Sequence, residues 1–308
     1  MKPYRHVLIT AFFILILQIL SGSEARAHEG ANPNVDEEVA TVEIEIDQFA
    51  NGTLYSEEIH HKRPTRGIAE TPESRRAKEL VENISYSLHS NFRSKYVTYG
   101  NAASASWVWE PSASIEWYGL GFNVWGNFVL ADIPDQGKFN EIDLTLYYDI
   151  EIHGFTIHPY FTAWIYPTSN KNSLDFSSDT DLLPCIHLAY SVGPLSFFTD
   201  LQVYVHPNPG AIRGDVGLGL THKLPLKFAV QTSAMMGYAN RTYNRASYNI
   251  SDTTVNFFTY NLAFPWNPIK GFVVSPNIHV STFFQQKFRS AVRYPVLVWG
   301  GVDFAYNF

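Results

Sequence analysis

From Ile142 to Ile152 apolar and polar side chains alternate almost without interruption. Ile142, Leu144, Leu146, Tyr148, Ile150 and Ile152 fall on one side, and Asp143, Thr145, Tyr147, Asp149 and Glu151 fall on the other. A period of two is what an extended strand needs when one of its faces meets an apolar medium. The same pattern recurs near 84–95, 107–118, 120–130, 155–166, 182–192, 195–206, 213–223, 226–238, 253–264, 272–285 and 296–308. The chain therefore reads as all-β, with about twelve strands.

The connections alternate in length. Tyr118-Gly119, His153-Gly154, Gly193-Pro194 and Leu224-Pro225 are tight turns, and 265–271 is the least tight of that class. Between them lie longer polar loops near 97–104, 131–139, 167–180, 207–212, 239–250 and 286–295. Short turns on one side and long loops on the other match a transmembrane antiparallel β-barrel. Hydrocarbon offers no partner to a backbone N–H or C=O, so a strand-built span has to close on itself. Strands of roughly 9–11 residues, tilted, are long enough to cross.

Composition narrows the field further. Apolar residues make up 45% of the chain, aromatic residues 15% and charged residues 17%, which excludes a disordered polymer. A single cysteine excludes an intrachain disulfide framework and cysteine-based zinc sites. The net charge of −7 argues against a nucleic-acid partner. No apolar run reaches the roughly 18–20 residues of a membrane-spanning helix.

The N-terminus carries its own signal. Lys2 and Arg5 precede an apolar run from Val7 to Leu20, and Ala25-Arg26-Ala27 follows. That is the layout of a secretory signal peptide over 1–27. Residues 28–80 are polar and mixed in charge, a periplasmic leader or partial plug, with one alternating stretch at 41–47 and a helix start at Thr71. The barrel is expected over 81–308. An exported chain without disulfides, with Trp107, Trp109, Trp117, Tyr148, Phe264, Trp266, Tyr306 and Phe308 near strand ends, points to the bacterial outer membrane. The alternative is a soluble sandwich or lipocalin-like barrel, with its oily face turned inward.

Several short motifs carry a family likeness. Ser94-Lys95-Tyr96-Val97 with Tyr99-Gly100, the stretch Asn140-Glu141-Ile142-Asp143 followed by Tyr147-Tyr148, and Tyr166-Pro167 resemble the TorF-like porins of Gram-negative outer membranes. This chain has Tyr99 where that family usually carries arginine before the glycine. The terminal Tyr306-Asn307-Phe308 resembles the aromatic-ended signal read by the barrel assembly machinery. The resemblance covers about 84–308 and implies a small outer-membrane channel of unspecified solute.

Residues that could carry chemistry are sparse. No G-x-S-x-G, H-E-x-x-H or Walker A motif occurs. Gly214-Asp215-Val216-Gly217-Leu218-Gly219 lies on an expected strand, where its glycines ease curvature. Single histidines such as His187, His206 and His279, and the lone Cys185, read as wall residues. An outer-membrane lipid hydrolase would need a lipid-facing Ser–His pair. Only His222 shares the phase of the apolar face, without a serine neighbour, whereas His279 and Ser281 share the opposite face.

The polar phase defines the expected lumen wall: Glu110, Glu116, Asp143, Tyr147, Asp149, Glu151, Tyr160, Asp200, Arg213, Asp215 and Asp303. Acid outnumbers base, and charge rings set ion preference in a narrow pore. The sequence thus predicts a porin-like channel for small polar solutes or ions, with a modest preference for cations or neutral solutes. It needs no cofactor, no metal and no covalent chemistry, and its partners are outer-membrane lipid, the assembly machinery and the solute. A lipid hydrolase and a structural barrel with a blocked lumen are the alternatives.

Overall fold

The computed structural model describes residues 84–131, 137–167 and 180–308. The expected signal peptide, the 28–80 segment, its 41–47 strand and its Thr71 helix lie outside these residues. In chain order the strands are β1 (Ile84–Arg93), β2 (Tyr96–Thr98), β3 (Asn101–Ser104), β4 (Val108–Trp117), β5 (Leu120–Val129), β6 (Lys138–Tyr148) and β7 (Ile150–Ile152). There follow β8 (Phe155–Ile165), β9 (Thr180–Val192), β10 (Leu195–Val203), β11 (Ile212–Leu224) and β12 (Phe228–Ala239). The last are β13 (Thr254–Ala263), β14 (Trp266–Ile269), β15 (Phe272–Phe283) and β16 (Val296–Asn307). Two short helices, α1 (Arg241–Tyr248) and α2 (Gln286–Ala291), sit in the loops after β12 and β15.

Every barrel strand pairs antiparallel with the next one in the chain. The circle closes where β1 meets β16, from Ser87 opposite Asn307 to Arg93 opposite Gly301. β6 and β7 form one crossing interrupted at Asp149, since both pair with β8. β13 and β14 form another, since both pair with β12 and β15. The protein is therefore a closed barrel of 12 strands.

Tight turns set the register. Tyr118 (φ 52°) and Gly119 (φ 82°) occupy two left-handed positions between β4 and β5. That is the two-residue turn whose twist matches a hairpin. A side chain at Gly119 would also press on the Asp149 carbonyl oxygen, at 2.7 Å from an added Cβ. His153-Gly154 repeats the arrangement between β7 and β8. The connection at 265–271 is tighter than its composition suggests. Pro265 lacks an N–H and interrupts the ladder, but the chain resumes pairing as β14 and turns at Lys270-Gly271, with Gly271 at φ 77°.

The two faces separate as the alternation requires. On β11, Val216, Leu218 and Leu220 are 54%, 50% and 43% exposed, while Arg213 and Asp215 are 3% and 5% exposed. Leu146 points outward as well. Keeping one such side chain in water rather than hydrocarbon costs roughly 1.5–3 kcal/mol, and the outward face carries them on every strand. This overturns the soluble alternative: the barrel spans a membrane. Stacked rings collect at the short-turn end. Phe155 lies 4.3 Å from Tyr190, Phe228 lies 5.5 Å from Trp266, and Tyr86 lies 5.6 Å from Phe308, centroid to centroid. Amphipathic rings favour that level of a bilayer.

Candidate functional site

The candidate site is the barrel interior, and register determines which side chains meet there. On one arc a continuous chain of polar contacts crosses six strands. The Arg93 guanidinium reaches Glu110 at 3.0 Å and Asp303 at 3.2 Å. Asn277 Nδ2 donates to Asp303 at 2.8 Å. The His279 ring bridges Asn277 and Asn261, at 2.9 and 2.7 Å. Asn261 Nδ2 then donates to Ser233 Oγ at 2.9 Å. These are same-face neighbours on adjacent strands, separated in sequence by up to 210 residues.

The opposite arc is more acidic. Tyr160 Oη donates to Asp200 at 2.8 Å, and Gln202 Nε2 donates to Tyr160 at 3.1 Å. Asp200 and Asp215 stand directly opposite each other on β10 and β11. His187 lies 3.9 Å from Asp200. Nearer the short turns, Tyr147 Oη donates to Glu116 at 3.4 Å, and His158 Nδ1 pairs with Asp149.

The long-loop end is crossed by chain. β2 and β3 form a hairpin rooted between β1 and β4, with Tyr99 (φ 48°) and Gly100 (φ 76°) at its tip. The tip reaches the far wall. The Tyr99 ring centroid lies 3.3 Å from the Arg213 guanidinium carbon of β11 and 6.4 Å from the Phe257 ring of β13. A Cβ on Gly100 would stand 2.7 Å from Phe257 Cγ, so nothing larger than glycine lets the tip seat. Burial pushes the Tyr99 hydroxyl well above the usual phenol range, although Arg213 pulls it down. Tyr96 Oη on the same hairpin donates to Glu141 at 2.8 Å.

Arg213 is the centre of this closure. Its Nε donates to Gln202 Oε1 at 3.0 Å and its Nη1 to Tyr243 Oη at 2.9 Å. Trp164 flanks it at 4.4 Å, and Tyr204 and Tyr243 at 5.3 Å each. Tyr243 arrives from α1, whose start is capped by the Asn240 side chain accepting from Tyr243 N. Two apolar clusters complete the closure. One gathers Trp164, Leu183, Cys185, Tyr204 and Tyr243, and the other Phe198, Met235, Phe257, Phe283 and Phe288.

Of the residues expected in the wall, Glu110, Tyr147, Asp200, Arg213, Asp215 and Asp303 are buried on the interior face. Glu116, Asp143, Asp149 and Tyr160 are half-buried there. Glu151 is exposed on β7, opposite Thr156 of β8 and two residues before the His153-Gly154 turn. Tyr306 and Phe308 are exposed on the outer face at that same end, their rings 5.4 Å apart. His222 stands on the outer face opposite Val230, while His279 and Ser281 both point inward. Ser281 Oγ donates to the Phe258 carbonyl. Among the described residues no group of three or more His, Cys, Asp or Glu side chains is arranged to hold a metal ion.

Sequence reasoning missed Tyr99, Tyr243, Tyr248, Phe257 and Phe288 as interior residues. Phe257 lies on a strand, in the inward phase. Tyr99-Gly100 is a hairpin-turn dipeptide, and that signal was available inside a segment read as an outer loop. The helical residues had none, because a short loop helix does not reveal which way it leans.

No family model matches the chain, and no curated protein matches it. Among solved structures the chain is similar to the KdgM porin, with a TM-score of 0.44 at 12% identity over 73% of this chain and 99% of that one. It is similar to the NanC porin, with a TM-score of 0.42 at 12% identity over 72% and 98%. It is also similar to an outer-membrane channel from Pseudomonas putida F1, with a TM-score of 0.40 at 9% identity over 73% and 94%. At these scores the likeness is one of barrel shape and assigns neither solute nor activity.

Proposed function

We propose that this chain is an outer-membrane channel of the porin type, passing small polar solutes or ions by passive diffusion through a lumen narrowed by the β2–β3 hairpin. The observation that carries the reading is the division of faces: apolar side chains meet the membrane on every strand, and a hydrogen-bonded polar wall is enclosed. The motif resemblance to the TorF-like porins supports the same reading.

The solute preference follows from charge. Arg93 is matched by Glu110 and Asp303, whereas Glu141, Asp143, Asp181, Asp200 and Asp215 gather around one guanidinium, Arg213, with His206 near Asp181 and His158 near Asp200. The acidic arc favours cations and neutral polar solutes over anions. Planar-bilayer recording of the folded protein tests this directly: a reversal potential shifted toward cations supports it, and strong anion selectivity contradicts it. A second reading, a barrel with a blocked lumen, is favoured by the two apolar clusters at the long-loop end. It predicts zero conductance even after the hairpin is removed.

A further inference from the structure

The two loops that carry helices form one basic patch at the long-loop rim. They supply Arg241, Arg245, Lys287, Arg289 and Arg293 against a single carboxylate, Asp252, in a chain whose net charge is −7. The loops touch. Lys287 pairs with Asp252, and the Tyr248 ring lies 5.4 Å from Phe288. Asp252 is held below the usual carboxylate range by the hydrogen bond from Lys287. Arg241 also acts on Asp252, and Arg245, Arg289 and Arg293 have no further carboxylate of their own in these loops.

Position decides what such a patch can bind. Arg289 Nη1 donates to Thr282 Oγ1 and to the Phe283 carbonyl, each at 3.3 Å. Thr282 lies on β15 in the outward phase, after Ile278 and Val280. The guanidinium therefore rests against the outer wall of the barrel, clear of the lumen. Directly beside it, Phe284, Val296 and Val298 are exposed on the lipid-facing side. Cations thus sit at the upper edge of an apolar surface, the arrangement that suits an amphiphile with acyl chains below and an anionic headgroup above.

We propose that this sector, on β13, β15 and β16 with α1 and α2, is a binding surface for a phosphorylated lipid of the leaflet at the long-loop end. The proposal rests on the barrel being embedded in a membrane, and holds whether or not the lumen conducts. Arg289 and Arg293 grip the phosphate, and the outward faces of β15 and β16 take the chains.

The test uses the folded full chain in neutral detergent, offered equal amounts of dimyristoyl phosphatidate and dimyristoyl phosphatidylcholine, with native mass spectrometry as the readout. Wild type should retain phosphatidate preferentially, and high salt should abolish that preference. R289Q with R293Q should lower it about 25-fold, taking about fivefold per cation, equivalent to about 1 kcal/mol each. K223Q with K227Q, at the opposite end, should leave it unchanged. If the double variant does not fold, the salt titration of the wild type decides. Equal retention of the two lipids, or a wild-type preference in R289Q/R293Q, overturns the proposal. Competition by inorganic phosphate at equal concentration would assign the patch to free anions and overturn the lipid assignment. Bilayer conductance is a separate measurement, so failure here is distinguishable from failure of the channel reading.

Discussion

Removing the Tyr99 ring should open the barrel. The hairpin tip is held by two contacts that depend on that ring and by the ring's partial burial. Its face on Arg213, 3.3 Å away and desolvated, contributes about 2 kcal/mol. The edge contact with Phe257 adds about 1 kcal/mol. Partial burial of the ring adds roughly 1 kcal/mol. Discounting for partial overlap between these terms, Tyr99→Ala should weaken the seat by roughly 3 kcal/mol. At about 1.4 kcal/mol per factor of ten, the ratio of lifted to seated hairpin rises by roughly 10². Tyr99→Phe keeps the face, the edge and most of the burial, so it should resemble wild type. The assay is single-channel recording of each variant in planar bilayers, with the heat-dependent shift of band mobility in detergent gels reporting that the barrel has folded. Tyr99→Ala should show a large rise in open probability with cation preference retained. A folded Tyr99→Ala that conducts no more than wild type would refute the idea that this ring holds the hairpin across the lumen.

Three further outcomes follow from the same geometry. Gly100→Val combines a left-handed backbone with a Cβ 2.7 Å from Phe257 Cγ, so it should unseat the tip and raise conductance in the same recordings, with little change in barrel stability. Arg93→Met leaves Glu110 and Asp303 buried without their cation, at a cost of about 3–5 kcal/mol in urea unfolding; adding Glu110→Gln and Asp303→Asn should recover much of it. Leu144→Arg places a charge on the lipid-facing side near the middle of β6 and should cost about 2–4 kcal/mol, whereas Thr145→Ser, on the inward face and bonded to Thr162, should be nearly silent in the same titration.

How far the sequence reaches can be judged from particular residues. Alternation located the strands to within a few residues, and placed Asp143 and Arg213 inside and Leu146 outside. Those are properties of one strand at a time: successive side chains of an extended chain point to opposite faces whatever the strand pairs with. The exceptions are instructive. The β14 continuation past Pro265 was hidden because proline usually ends a strand, and here pairing resumes on both sides beyond it. Glu151 kept the inward phase but is exposed at the short-turn mouth.

Strand number and the tight turns were thus written into local order of residues, whereas the closed barrel decided that the oily face turns outward. Only the closed structure decided that Arg93 meets Asp303 across 210 positions, and that a loop hairpin folds inward to lay Tyr99 on Arg213. The physical reason is that a strand's facing is set by its own backbone. A contact across the barrel depends on the accumulated register of every strand between, and a loop's direction depends on the space those strands enclose.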